Sequence, residues 1–77
     1  MKVTILLFGQ LTDITGTDNI IFDDVPDTVS LTIKLHRQFP ALKESKYIIA
    51  VDKKIISANT TLYNNCTVAL LPPFSGG

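Results

Sequence analysis

Near the N-terminus, Val3-Thr4-Ile5-Leu6-Leu7-Phe8 is an almost unbroken run of large and β-branched apolar residues, closed by Gly9. Residues 2 to 8 are predicted to form a strand. Because its apolar side chains do not alternate with polar ones, both faces are expected to be buried, which places it in the interior of a sheet. A chain that opens on an interior strand must find the neighbours for it later in the sequence.

Those neighbours can be picked out from turn chemistry. A single helical turn is predicted over Leu11 to Ile14 before Gly16, then a short strand from Asn19 to Phe22 closed by Asp23-Asp24 and Pro26. Residues 28 to 38 alternate apolar and polar, which by itself suits a strand. A helical projection instead assigns Leu31, Leu35, Phe39, Val29 and Ile33 to one broad apolar arc, opposite Ser30, Lys34, Arg37 and Gln38. With Asp27 or Thr28 to cap its first turn and Pro40 to stop it, the segment is predicted to be a helix. Tyr47 to Val51 and Ile55 to Ala58 come next as strands around the polar turn Asp52-Lys53-Lys54. Asn64-Asn65 supplies another turn, and the last strand, Thr67 to Leu71, ends at Pro72-Pro73, where the ladder loses its donors. The order is strand, strand, helix, strand, strand, strand. Packing one main helix on one face of a mixed sheet of about five strands buries these stripes economically. This is the order of the α+β β-grasp, or ubiquitin-like, fold, expected as a single domain over residues 1–77 with 72–77 as an extended tail.

Composition removes several function classes. Lys plus Arg and Asp plus Glu number seven each, so there is no basic surplus for nucleic acid or for a polybasic membrane anchor. No apolar run approaches the ~20 residues that span a bilayer. The opening run is too short for a signal sequence, and its removal would delete a strand. One cysteine, Cys66, excludes an internal disulfide and suits a reducing compartment. A cytoplasmic location is expected. One Cys and one His also exclude a conventional zinc site and a four-thiolate iron–sulfur cluster. No phosphate loop, nucleophile elbow or metalloprotease motif occurs, so the chain is expected to bind no cofactor and to hold no self-contained active site.

The specific signal is the final stretch, Pro72-Pro73-Phe74-Ser75-Gly76-Gly77. Two prolines hold an extended conformation and aim the last four residues away from the domain. Gly76 and Gly77 lack Cβ, so they can thread a narrow channel and adopt backbone angles closed to other residues. The group at the tip is a carboxylate, a poor electrophile until it is adenylated. A sulfur donor can then displace the phosphate and leave a thiocarboxylate. Such a tail presents its reactive end inside another protein's active site.

Leu70-Leu71-Pro72-Pro73-Phe74-Ser75-Gly76-Gly77 resembles the terminus of molybdopterin synthase small subunits. Ile5-Leu6-Leu7-Phe8-Gly9-Gln10-Leu11 with Ile14-Thr15-Gly16 resembles that family's first strand and turn, and Ala50-Val51-Asp52 stands where it usually has Ala-Val-Asn. The chain departs from the family at Thr12-Asp13, often Arg-Glu, and at Asn64-Asn65-Cys66, usually Asp-Gly-Asp. The resemblance implies that Gly77 is adenylated, with ATP, by an E1-like activating enzyme and is then thiocarboxylated by a sulfur donor protein. It implies that Pro72, Pro73, Phe74, Ser75 and Gly76 insert into a large synthase subunit, which passes the sulfur to cyclic pyranopterin monophosphate. It also implies a heterotetramer of two carriers on a large-subunit dimer, and a docking face at Phe8, Ile55 and Leu71. The plainer reading of those three is ordinary core.

Cys66 is expected to be a small buried apolar residue rather than a persulfide site, and His36 a structural histidine rather than a base. Two other functions fit the same residues. One is a thiocarboxylate carrier for thiamine synthesis or tRNA thiolation, or a ubiquitin-like modifier. The other is a β-grasp binding module whose tail does no chemistry.

Overall fold

The computed structural model describes residues 1–73. Five strands, β1 (Lys2–Leu7), β2 (Asn19–Asp23), β3 (Ile48–Val51), β4 (Lys54–Ile55) and β5 (Cys66–Leu71), form one sheet in the order β2-β1-β5-β3-β4. β1 runs antiparallel to β2 but parallel to β5, and β5 is antiparallel to β3. The sheet is therefore mixed, with the first and last strands adjacent at its centre. This is the β-grasp arrangement.

α1 (Leu11–Thr15) links β1 to β2 and ends at Gly16, whose φ of 75° is left-handed. The main helix, α2 (Thr28–Gln38), covers one face of the sheet. Asp27 caps it, its carboxylate accepting from the Ser30 N–H at 2.8 Å. Leu31 and Leu35 meet Val3, Ile5, Leu7, Val68 and Leu70 in the core. At the end of α2, Pro40 does not release the chain into a loop. It opens a 3₁₀ turn, Pro40–Glu44, where the missing N–H costs nothing, and Leu42 drops into the core.

The segment after β4 is tied to the start of α2. Asn59 Oδ1 accepts from the Val29 N–H at 2.9 Å and from Thr28 Oγ1 at 3.2 Å. Thr28 and Thr60 exchange two further bonds at 3.0 Å, and Leu62 N–H donates to Pro26 C=O at 2.8 Å. These bonds correct one sequence expectation. The strand expected over Ile55 to Ala58 stops at Ile55 because the chain turns away there to satisfy the exposed donors of the helix.

A second correction concerns the helix itself. Val29 and Ile33, expected in the apolar arc, are 51% and 54% exposed. At about 100° per residue they lie roughly half a turn from Leu31 and stay outside the core. The third correction concerns β1. It is central, as expected, but only Val3, Ile5 and Leu7 are buried, while Thr4 and Leu6 on the other face are half-buried.

Asn59→Ala should lower stability by about 1–2 kcal/mol, since it orphans helix N-terminal donors. Asn19→Ala, which removes only a surface bond to neighbouring Asp18, should change it little. Urea midpoints at unchanged m-value measure both.

Candidate functional site

The uncovered face of the sheet can be assembled from the strand register. Partners across a ladder point to the same side. Leu6 pairs with Ala69, Ala69 with Ala50 and Ala50 with Ile55, which makes one apolar row across four strands. Ile48 pairs with Leu71 in the next row. Phe8 lies one step beyond the Leu7–Leu70 pair, and its N–H donates to the Leu70 C=O at 3.2 Å. The alternation therefore carries Phe8 to the same side as Leu71. Phe8 is 43% and Ile55 60% exposed, and Leu71 is half-buried. The three expected docking residues thus share one face, next to the point where the last strand ends.

That exit point is braced. Gly9, at φ 58°, sits opposite Pro72 so closely that a Cβ on it would lie 2.7 Å from Pro72 Cγ. The turn around Gly9 is held by bonds from the Thr12 N–H and hydroxyl to the Gly9 C=O, at 3.2 and 2.8 Å. The proline ring lies against bare backbone, which fixes the direction in which the chain leaves the sheet. Sequence reasoning missed this contact. The parallel β1–β5 register would have found it, because two steps past Leu7–Leu70 it brings residue 9 to residue 72. Pro73 is exposed. Phe74, Ser75, Gly76 and Gly77, the remaining residues expected to act, lie outside the described residues.

The ThiS family profile matches residues 5–77. The chain belongs to the ThiS family. Its fold is that of the ubiquitin-like sulfur carriers in this family and in the related molybdopterin-converting factors. The ThiS-family chain is 29% identical to a chain of the complex of subunits 1 and 2 of molybdopterin-converting factor from Helicobacter pylori 26695, with 100% of both chains covered and a TM-score of 0.78. It superposes on small archaeal modifier protein 1 from Methanosarcina acetivorans with a TM-score of 0.84 at 23% identity, covering 99% of this chain and 96% of that one. The Haloferax volcanii modifier of the same name gives 0.81 at 19% identity, with both chains fully covered.

The remaining polar residues have structural employment. Cys66 is 1% exposed, and burial together with the Asp52 carboxylate pushes its thiol pKa up, so little thiolate is present at neutral pH. His36 Nε2 lies 2.6 Å from the Tyr47 hydroxyl, tying α2 to the start of β3. Burial, helped by the Lys43 cation, lowers the imidazole pKa, and burial raises that of the phenol, so both partners are neutral at pH 7. At the altered turn, Asn64 Oδ1 accepts from the Lys2 N–H at 2.8 Å, and Asn65, at φ 68°, donates to the Lys2 C=O at 2.7 Å. The turn pins β5 to β1 by its own chemistry. Among the described residues no cluster of His, Cys, Asp and Glu could hold a metal ion, and no helix is long and apolar enough to cross a membrane.

Gly16 provides an internal control for Gly9, since it too is left-handed but a Cβ there meets nothing within 4 Å. Gly16→Ala should cost about 1 kcal/mol of backbone strain. Gly9→Ala should cost about 1–3 kcal/mol more from overpacking. Adding Pro72→Ala should recover that excess in the Gly9 variant but not in the Gly16 one, as measured by chemical denaturation. The unfolded chain binds the His36 proton more readily, so stability should fall as pH drops from 6.5 towards the lower folded value. It should be level above that window, and His36→Gln should remove the slope. The Asp27 pKa is lowered by its bonds from Ser30 and Asn59, so its contribution should be present above 3.8 and lost as pH falls below that value.

Proposed function

We propose that this chain is the sulfur carrier subunit of a molybdopterin synthase. The observation that carries the reading is the apolar open sheet face (Leu6, Phe8, Ile55 and Leu71) lying beside the braced exit of the last strand. A face this apolar on so small a domain calls for a partner, and its neighbour is the segment that would deliver the reactive end. The family match, which runs through to Gly77, and the likeness to a chain of a two-subunit converting factor support the same reading.

In this mechanism an E1-like adenylating enzyme joins the Gly77 carboxylate to the AMP of ATP, with loss of pyrophosphate. A sulfur donor protein then displaces AMP and leaves the thiocarboxylate. The open face docks on the large subunit, and Pro72 to Gly76 extend into its active site, where the sulfur passes to cyclic pyranopterin monophosphate. Gly77 has no side chain to crowd the carbonyl carbon under attack. The large subunit binds and activates the pterin; the carrier brings only the sulfur and binds no cofactor. Two carriers on a large-subunit dimer would make a heterotetramer that works in the cytoplasm. The likeness to archaeal modifier proteins favours a second reading, attachment of Gly77 to other proteins or sulfur delivery to another pathway.

Intact mass after incubation with ATP, the activating enzyme and the sulfur donor should show one oxygen exchanged for sulfur at Gly77. Deleting Gly77 or appending a residue should abolish the exchange. Adding the large subunit and the pterin precursor should then discharge the sulfur. Ile55→Asp and Phe8→Asp should weaken binding to the large subunit by about tenfold or more while the chain stays folded. A thiocarboxylate that the large subunit never discharges would shift the assignment to the second reading.

A further inference from the structure

Val29 and Ile33 are β-branched, more than half exposed and outside the core, so folding does not account for them. They form one wall of a trench of about 580 Å³ between α2 and the β3–β4 edge, with Tyr47, Ile49 and Ile56 opposite. Ile33 also lines two further hollows on the outer side of α2, one with Lys34 and Arg37 and the other with His36, Arg37 and Lys43. No acidic residue lines any of the three.

Charge is segregated in the same sense, although the chain is neutral overall. Six of the seven cationic side chains, Lys34, Arg37, Lys43, Lys46, Lys53 and Lys54, fall between residues 34 and 54. Only Glu44 and Asp52 oppose them in that stretch, and the Asp52 carboxylate is engaged by the Thr67 N–H at 3.0 Å. Five of the seven acids precede residue 28. Lys34 leans over the Phe22 ring at 4.6 Å, and Arg37 and Lys43 line the hollow that shares Ile33 with the trench.

We propose that this α2 face is a second docking surface, taking a protein segment that carries apolar anchors next to carboxylates. An open apolar trench suits an extended chain, whose side chains fill it in succession. The adjoining basic hollows select carboxylates and speed encounter, while the trench supplies the holding contacts. Phosphate-rich polymers are a poor match, because the trench walls are apolar and no cation lines them. Ile48 and Ile55 border both surfaces at the β3–β4 edge, but Leu6, Phe8, Leu71 and Pro72 do not line the trench, so a partner held here leaves the β1–β5 part of the open face and the tail root uncovered. Nothing in this assignment depends on where the sulfur goes.

The test is an amide-shift titration of the full chain with a capped peptide alternating leucine and glutamate. Shifts should concentrate at Val29–Arg37 and Tyr47–Asn59 and weaken as salt shortens the Debye length from ~10 Å towards ~3 Å. Ile33→Asp, and separately Arg37→Glu with Lys43→Glu, should weaken binding by about tenfold. All these side chains lie outside the buried core, so an unchanged amide spectrum elsewhere confirms folding. The lysine-for-glutamate and alanine-for-leucine peptides should bind worse by a similar factor. Four results would overturn the proposal: no saturable shift at millimolar peptide, shifts confined to Phe8 and Leu71, concentration-dependent shifts without peptide (a second copy), or binding to phosphatidylserine vesicles in place of the peptide.

Discussion

The parallel pairing of β1 with β5 is the constraint that dictates the remaining architecture. Adjacent parallel strands cannot be joined by a tight turn, so the whole middle of the chain must travel round before it returns. That path holds α2, which covers the inner face of the two strands, and β3–β4, which extend the sheet on the far side of β5. The same pairing places the end of β1 beside the end of β5. Gly9 thereby comes to meet Pro72, and the last strand leaves the sheet at a point anchored by the first. A hairpin between the same two segments would send their ends in opposite directions and lose that anchorage.

β1 carries more apolar surface than the domain itself can cover. Helix α2 and the 3₁₀ turn bury one face, and the described residues provide nothing for the other. In water, an apolar row such as Leu6–Ala69–Ala50–Ile55 is a standing cost, and it is relieved when another surface excludes the solvent. A domain of this size has little stability to spare, so the cost is tolerable only if the face is used. Association therefore has a physical motive that begins with the side chains of the first strand.

Much of this architecture was legible in the sequence, because strands and turns there announce themselves locally. The β-branched runs, the Asp52-Lys53 and Asn64-Asn65 turns with their positive φ angles, and the Asp27 cap all act within a few residues. What misled was tertiary. Val29 and Ile33 are apolar, and the helical projection drew its arc broadly enough to include them, although they lie about half a turn from Leu31 and are more than half exposed. Ile55 to Ala58 has strand-like residues, but the needs of the helix N-terminus redirected it. The apolar continuity of β1 was legible; that half of it faces outward depends on how many layers the chain can build. The Phe8, Ile55 and Leu71 face was legible only through resemblance, since three residues so distant in sequence meet through register alone.

The burial of Cys66 has a consequence for chemical selectivity. In the proposed role, the protein would meet nucleophilic and oxidising sulfur at every encounter with its donor. A surface thiol would compete for that sulfur, and would crosslink to the donor or be capped by passing oxidants. Here the one thiol is sequestered under the helix with its proton retained. The folded domain is thereby a bystander to such reactions, and a carrier built this way would be charged and discharged repeatedly without fouling its own scaffold.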